Sequence, residues 1–402
     1  ADVDALKKEF FTYCFHEVAK PMEKWYADLE SSPPLRPSTL LPMFQSLQKA
    51  WTATKHEEVK QRLVDLMAYL VYVAEFRKFD LARSRKATRD DGYYRALLPL
   101  MNYAWRIRHR DMVHYYALAR RLCNGLPVRD KRLDFYMFNK KAKPVWMKGE
   151  TFSDKEIISR FETTIKELQS DGDPTVSFSR YLEPIRYRGQ GRGPSRILND
   201  KREGIARFRR GLVGYLVPSG KQMVKMTVAP TKRPISMKVT LRDQVYFSKQ
   251  IRSQEEVEIE LPRANEYRVE INGDCEVQVP KSTPFVFEAS VRNPSWIDYS
   301  GPHYFYVPKG TRELIVDATP RLSFFIPGGK ARVDISASNR VKGKEYSIIK
   351  VPSGAAGKVW QSSPQTRGRV MLLNVPPLMS FHPETLFVPR EIAERDGLTT
   401  KE

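Results

Sequence analysis

The chain has 402 residues, with 68 Lys and Arg against 47 Asp and Glu, a formal charge of +21. That length suffices for two or three domains, each with its own core. The excess is even, with 36 basic and 26 acidic side chains in residues 1–200 and 32 and 21 in residues 201–402. This argues against the clustered stripe of a nucleic-acid surface and leaves an anionic partner, such as an acidic polysaccharide, open.

Cys14, Cys123 and Cys275 are too few and too far apart for a disulfide framework or a metal motif. The histidines are scattered; His109 and His114 stand about 140° apart on a helix and share no face. No metal and no cofactor is expected. No apolar run approaches the length of a membrane span. The chain opens on Ala1, without a signal peptide and directly on a helix, which reads as a missing or processed N-terminus.

From Ala5 onward, Phe11, Phe15, Val18, Met22, Trp25 and Leu29 recur at three- and four-residue steps, the stripe of an amphipathic helix. Pro21 is expected to kink or divide it, and Ser31-Ser32-Pro33-Pro34 to end it. Ser38 or Thr39 can cap a second helix carrying Leu40, Met43, Phe44, Leu47 and Trp51. Residues 56–82 give the clearest helix, because Val59, Leu63, Leu66, Leu70 and Val73 step like a bundle seam. Glu57 and Glu58 fall in its first turn, where carboxylates suit the dipole. Asp90 and Asp91 open a helix through Leu97, Leu100, Met101, Ala104 and Trp105; acids so placed read as capping groups before they read as a catalytic pair. Further helices are expected at Asp111–Leu122 and, capped by Ser153, at Asp154–Leu168. Asn124–Glu150, with Trp146, reads as an irregular basic connector.

Asp171–Gly204 is a composition break. Its Arg186-Tyr187-Arg188-Gly189-Gln190-Gly191-Arg192-Gly193 run resembles a segment that binds RNA flexibly, but it occurs once and separates a helical half from a β half. It is read as a linker.

Beyond residue 211 the apolar period drops to two. Ile235, Met237, Val239 and Leu241 alternate with polar residues, as do Val257, Ile259 and Leu261. Tyr267, Val269 and Ile271 lead into Asn272-Gly273, and Cys275, Val277 and Val279 lead out, which predicts a hairpin. Val217-Pro218, Val279-Pro280, Val307-Pro308, Val351-Pro352, Val375-Pro376 and Val388-Pro389 punctuate short apolar runs. Proline cannot donate to a ladder, so these are strand ends. The expected fold is multidomain, α then β. An α-helical bundle spans 1–170 and a linker 171–207. Two antiparallel β-sandwiches, Ig-like or jelly-roll-like, span 208–290 and 291–402, the latter with a C-terminal tail.

Trp296 and Tyr299, followed by Tyr304 and Tyr306, are the candidate binding residues. Exposed on a sandwich they would stack on sugar rings; the alternative is that they pack the junction of the two sandwiches. Trp360 reads as core.

Three stretches carry a family resemblance: LKKEFFTYCFHEVAKPMEKWYADLE, then VKQRLVDLMAYLVYVAEF, then YFYVPKGTRELIVDA with VPSGAAGKVW and LLNVPPLMSFHPETLFVPREIAERDGL. They resemble the C-terminal regions of large glycoside-hydrolase-like proteins related to the α-glucuronidases. There a (β/α)8 barrel precedes a helical domain and β-sandwich modules. The opening reads Phe15-His16-Glu17 where related sequences often have a glycine-containing turn. Glycoside hydrolysis needs two carboxyl groups fixed across a sugar, and no residue here matches the family's catalytic motifs.

The resemblance implies a non-catalytic C-terminal accessory part, packing on an upstream barrel of the same protein and binding polysaccharide or oligosaccharide. It also implies a secreted, periplasmic or cell-surface location. The alternatives are a structural or adhesive spacer, and a basic nucleic-acid binder using Arg186–Arg196.

Overall fold

The computed structural model describes residues 2–30, 35–82, 91–123, 143–172, 174–185, 204–242, 244–318, 322–326, 332–335, 341, 344–363 and 368–398, less the side chains of Asp4, Asp91, Tyr299 and Ser300. It divides into two compact units, 1–173 and 174–402. The first is helical and the second is antiparallel β, the α-then-β layout that the change of apolar period predicts.

In the first unit α1 (Val3–Phe15) and α2 (Ala19–Glu30) are separated by a 3-10 turn at His16–Val18. The break precedes Pro21. His16 takes a left-handed φ of 46°, and Pro21 falls in the first turn of α2, where no backbone donor is needed. In α3 (Pro37–Ala53) Arg36 holds the cap position, and Thr39 accepts its N–H at 3.1 Å from one turn in. The seam of α4 (Glu57–Ala82) is buried along its length and packs against α3, α5 (Asp91–Arg106) and α7 (Asp154–Ser170). Ser153 and Glu156 cap α7 reciprocally, as that spacing allows. The helix expected from Asp111 begins later, as α6 (Tyr115–Cys123), because Asp111 itself is left-handed at φ 55°. Trp146 is fully buried; residues 124–142 of its connector lie outside the described residues.

Two contacts hold this unit together at depth. Phe44 stacks on Phe161 at 4.7 Å between ring centroids. The Arg110 guanidinium, 7% exposed, reaches Asp65 of α4 at 2.6 Å and also pairs with Asp154 at the start of α7.

In the second unit the strands alternate as expected, and Ile235, Met237, Val239, Leu241, Val257, Ile259 and Leu261 all point into one core. Val217-Pro218, Val279-Pro280 and Val351-Pro352 each follow a strand within one residue, and Val307-Pro308 closes another. Among the described residues one sheet has ten strands, in the order Arg332–Asp334, Ser323–Phe325, Lys358–Ser362, Tyr304–Val307, Leu378–Ser380, Phe285–Glu288, Leu212–Leu216, Tyr267–Asn272, Ile235–Leu241, Gln244–Ile251. The facing sheet has eight, in the order Ser347–Lys350, Glu313–Ala318, Gly368–Leu372, Ser295–Ser300, Ile205–Phe208, Cys275–Gln278, Gln222–Pro230, Glu255–Leu261.

These sheets run through the boundary expected near residue 290. Phe285–Glu288 pairs with Leu378–Ser380 in one sheet, and Ile205–Phe208 with Ser295–Ser300 in the other. The inner faces form one core from Ala206 to Phe381. The sandwiches expected at 208–290 and 291–402 are thus joined edge to edge, which leaves no open strand edge at the join.

The linker expected at 171–207 is corrected in part. Leu182–Pro184 pairs with Phe387–Pro389, and Ile205–Phe208 is an interior strand. The rest, with the Arg186–Arg196 segment, lies outside the described residues. The Asn272-Gly273 hairpin is also corrected. Gly273 does take a positive φ of 112°, but Tyr267–Asn272 belongs to the ten-stranded sheet and Cys275–Gln278 to the eight-stranded one. The turn crosses the sandwich, and Ile271 and Cys275 meet the same core from opposite sides.

Candidate functional site

Tyr304 and Tyr306 alternate with Phe305 and Val307, which face the inner core, so both tyrosines stand on the outer face of the ten-stranded sheet. That face is not open. Leu182, Ile185, Leu386–Val388 and the C-terminal helix α8 (Arg390–Asp396) lay a second apolar layer over it. Tyr304 is 6% exposed and Tyr306 2%, and the Tyr306 hydroxyl donates to Asp396. The expectation that they form a sugar platform is corrected: their rings are covered.

Trp296 lies half-buried on the outer face of the other sheet, between Ser295 and Ile297, which are both buried. Arg210 stands 4.7 Å and Arg369 5.9 Å from its ring centroid. The Tyr299 side chain lies outside the described ones. Trp296 and the two buried tyrosines therefore sit on opposite faces of the sandwich, about one sheet-to-sheet spacing of ~10 Å or more apart, and do not converge. Trp360 is core, its indole N–H donating to the Ala355 carbonyl at 2.9 Å.

What the outer face of the ten-stranded sheet does offer is a cleft of about 140 Å³ beside the covered tyrosines. Tyr215 and Arg268 are cross-strand partners in register. Both occupy outward positions of alternating strands, and Glu288 ends the neighbouring strand. The chain from Val176 to Leu182 passes over them. It is tied down by the Val176 N–H on the Leu373 carbonyl at 3.0 Å, the Ser179 N–H on Glu391 at 2.6 Å and the Leu182 N–H on Glu266 at 3.1 Å. Phe178, Pro377, Leu378 and Pro389 give the cleft apolar walls, while Arg180 and Arg292 stand exposed at its mouth.

The polar groups in the cleft are unevenly satisfied. Glu288 accepts from Ser290 Oγ at 2.6 Å, Asn293 Nδ2 at 3.0 Å and the Tyr215 hydroxyl at 3.3 Å. Arg268 places one Nη on Glu270 at 2.6 Å, but its Nε is buried with no hydrogen-bond partner among the described residues. Burial, with the Glu288 charge, pushes the Tyr215 hydroxyl up to about 12, against the pull of Arg268 and Arg180. Tyr215 is therefore a neutral donor near neutral pH. Among the described residues the cleft holds one hydrogen-bonded carboxylate with three guanidinium groups, where glycoside hydrolysis uses a pair of carboxyl groups.

No local signal marks Tyr215, Arg268, Glu288 or Arg292 in the sequence. Each is one of many polar residues at outward strand or loop positions.

The fold also pairs histidines that the sequence scatters. His16 and His56 stack at 4.6 Å, with Glu17 3.3 Å from His56. Hydrogen bonds from its own N–H and from the Lys55 N–H bring the Glu17 carboxyl down to about 2. His303 is fully buried between Phe287 and Phe381, with ring centroids at 4.9 and 5.3 Å. Neither of its ring nitrogens has a hydrogen-bond partner among the described residues. Among those residues no group of three His, Cys, Asp or Glu is placed to hold a metal, and no helix is long and apolar enough to cross a membrane. Compared with protein-family models and with curated proteins, the chain matches none.

Proposed function

We propose that this chain is the non-catalytic accessory part of a glycoside-hydrolase-like protein, docking on a catalytic barrel through its helical unit and holding polysaccharide on its β unit. The observation that carries the reading is the cleft beside Phe178 and Tyr215, where apolar walls adjoin the guanidinium groups of Arg180 and Arg292, which pair with no carboxylate among the described residues. Small-ligand sites combine these two features, an apolar lining and a few convergent polar groups.

Docking has its own support in α1. Phe11 and Phe15 face the bundle core, while Val3, Leu6, Phe10 and Tyr13 are 63, 53, 51 and 76% exposed along the other side. Steps of three, four and three put them in one stripe. A contiguous exposed apolar stripe marks an interaction surface, and the family resemblance supplies its occupant, the preceding barrel.

The test is binding of the full chain to a glycan array, run beside hydrolysis assays on aryl glycosides and glucuronoxylan. Binding without turnover is expected; robust turnover by this chain alone overturns the accessory reading. The burial of Tyr304 and Tyr306 favours the spacer as the second reading, and failure to bind any glycan would select it.

A further inference from the structure

We propose that the cleft recognises an acidic sugar substituent, a carboxylate or a sulfate ester, through Arg180 and Arg292 at its mouth and Arg268 at its base. This rests on the reading that the β unit binds polysaccharide, and it adds the charge of the ligand.

Three guanidinium groups line the cleft against one carboxylate, Glu288. That carboxylate already accepts from Tyr215, Ser290 and Asn293, so its lone pairs are largely committed and it has little capacity left for sugar hydroxyls. Arg268 is half spent on Glu270, and its buried Nε has no hydrogen-bond partner among the described residues. Neither Arg180 nor Arg292 pairs with a carboxylate among those residues. With Glu270 counted beside Glu288, the three guanidinium groups keep a net positive charge of about one, carried by Arg180 and Arg292 in loops, whereas the strand arginines described in this unit are matched, such as Arg207 with Glu276 and Arg369 with Asp317.

Guanidinium donors form a planar fork that suits a carboxylate or a sulfate. A neutral sugar would bring hydroxyl groups, which can accept from arginine but do not offset its charge. The volume of about 140 Å³ is below the ~300–1,000 Å³ of drug-sized sites. It suits one charged group with the edge of its ring, against Phe178 and Pro377. A polynucleotide needs a longer basic track with exposed stacking rings, and the rings here, Phe178 and Tyr215, are half-buried.

The test is calorimetric titration of the full chain with matched oligosaccharide pairs. One pair is oligogalacturonate and its methyl ester; the other is a sulfated galactan oligosaccharide and its desulfated form. Single-stranded poly(U) is a fifth probe. The expected result is that the acidic member of at least one pair binds at least tenfold more tightly than its neutral counterpart. The pair that discriminates tells carboxylate from sulfate. Arg180→Gln and Arg292→Gln should each weaken that binding about fivefold without shifting the melting temperature, and Lys166→Gln on the helical unit should leave it unchanged.

Equal binding of charged and neutral members overturns the anion inference and leaves the polysaccharide reading standing. An equal loss in Lys166→Gln assigns the affinity to net charge and overturns the site. Tighter binding of poly(U) than of any glycan overturns it in favour of nucleic acid. Binding of no member of either pair, nor of any glycan on an array, ends the polysaccharide reading itself.

Discussion

The Tyr306 hydroxyl donates to Asp396 Oδ2 at 2.9 Å across 90 residues of chain, and the same oxygen accepts the Lys309 N–H at 2.8 Å. Asp396 is 1% exposed and is also reached by Arg395 at 2.8 Å. This junction fastens α8 over the outer face of the ten-stranded sheet and makes Tyr306 a structural residue. Burial opposes the Asp396 charge, but the hydrogen bonds from Arg395, the Lys309 N–H and Tyr306 outweigh it and hold the carboxyl below its usual range.

Tyr306→Phe should therefore lower stability by about 1–2 kcal/mol, the cost of a lost buried hydrogen bond. Asp396→Ala should cost more, because three donors lose their acceptor. Urea unfolding of the two variants checks the order; a neutral Asp396→Ala would mean that α8 does not hold the layer.

His303 supplies a pH dependence with a definite sign. Burial, and the neighbouring His382, push its pKa down to about 3 from the ordinary 6.5. Between those values the unfolded chain binds a proton that the folded chain refuses, so stability falls as pH is lowered through that window. Each pH unit costs up to about 1.4 kcal/mol. Above the upper value both states are neutral and His303 contributes no slope. Unfolding free energies from pH 7 to 4 should lose this slope in His303→Leu, after allowance for the carboxylates, which titrate in both proteins.

Phe10 and Phe11 are neighbours with ring centroids 5.3 Å apart, but one is 51% exposed and the other 8%. Phe10→Ser should stay within about 0.5 kcal/mol of the parent, as exposed substitutions do. Phe11→Ser should cost about 3 kcal/mol, because it removes a ring from the bundle core. If Phe10→Ser is equally damaging, the α1 stripe is already covered in the isolated chain and cannot serve as a docking surface.

Gly214 lies next to Tyr215 in the strand that floors the cleft. A Cβ there would stand 2.6 Å from both the Phe285 ring and the Val286 carbonyl. Gly214→Ala should destabilise the unit by about 1–3 kcal/mol through overpacking. It should also weaken ligand binding by displacing the strand that ends at Glu288. Thermal unfolding and titration of the same variant measure the two effects separately.

Arg110 joins α4 to α7 through Asp65 and Asp154. Breaking a buried ion pair from one side costs about 3–5 kcal/mol. Because the carboxylates here are 31% and 48% exposed, Arg110→Ala should cost about 2 kcal/mol, seen in thermal unfolding of residues 1–173 within the full chain. Arg110→Lys should recover only part, since a single ammonium cannot reproduce the fork.

The sequence by itself determined the strongly periodic helices and strands and which side of each turns inward, though not the short strands Leu182–Pro184 and Ile205–Phe208. The three- and four-residue steps of α4, the alternation of Ile235, Met237, Val239 and Leu241, and the Val-Pro strand ends are local patterns. Chain torsions and the partition of side chains between water and core decide them within a few residues. Only the tertiary structure decided which strands become neighbours. Asn272-Gly273 has the local conformation of a turn either way, and whether it closes a hairpin or crosses between sheets depends on distant partners such as Leu212–Leu216 and Ile205–Phe208. The site is of this second kind. Arg180, Tyr215, Arg268 and Glu288 are ordinary outward residues in their own segments, and long-range antiparallel pairing, which no local pattern encodes, brings them to one cleft while a helix from the far end of the chain covers Tyr304 and Tyr306.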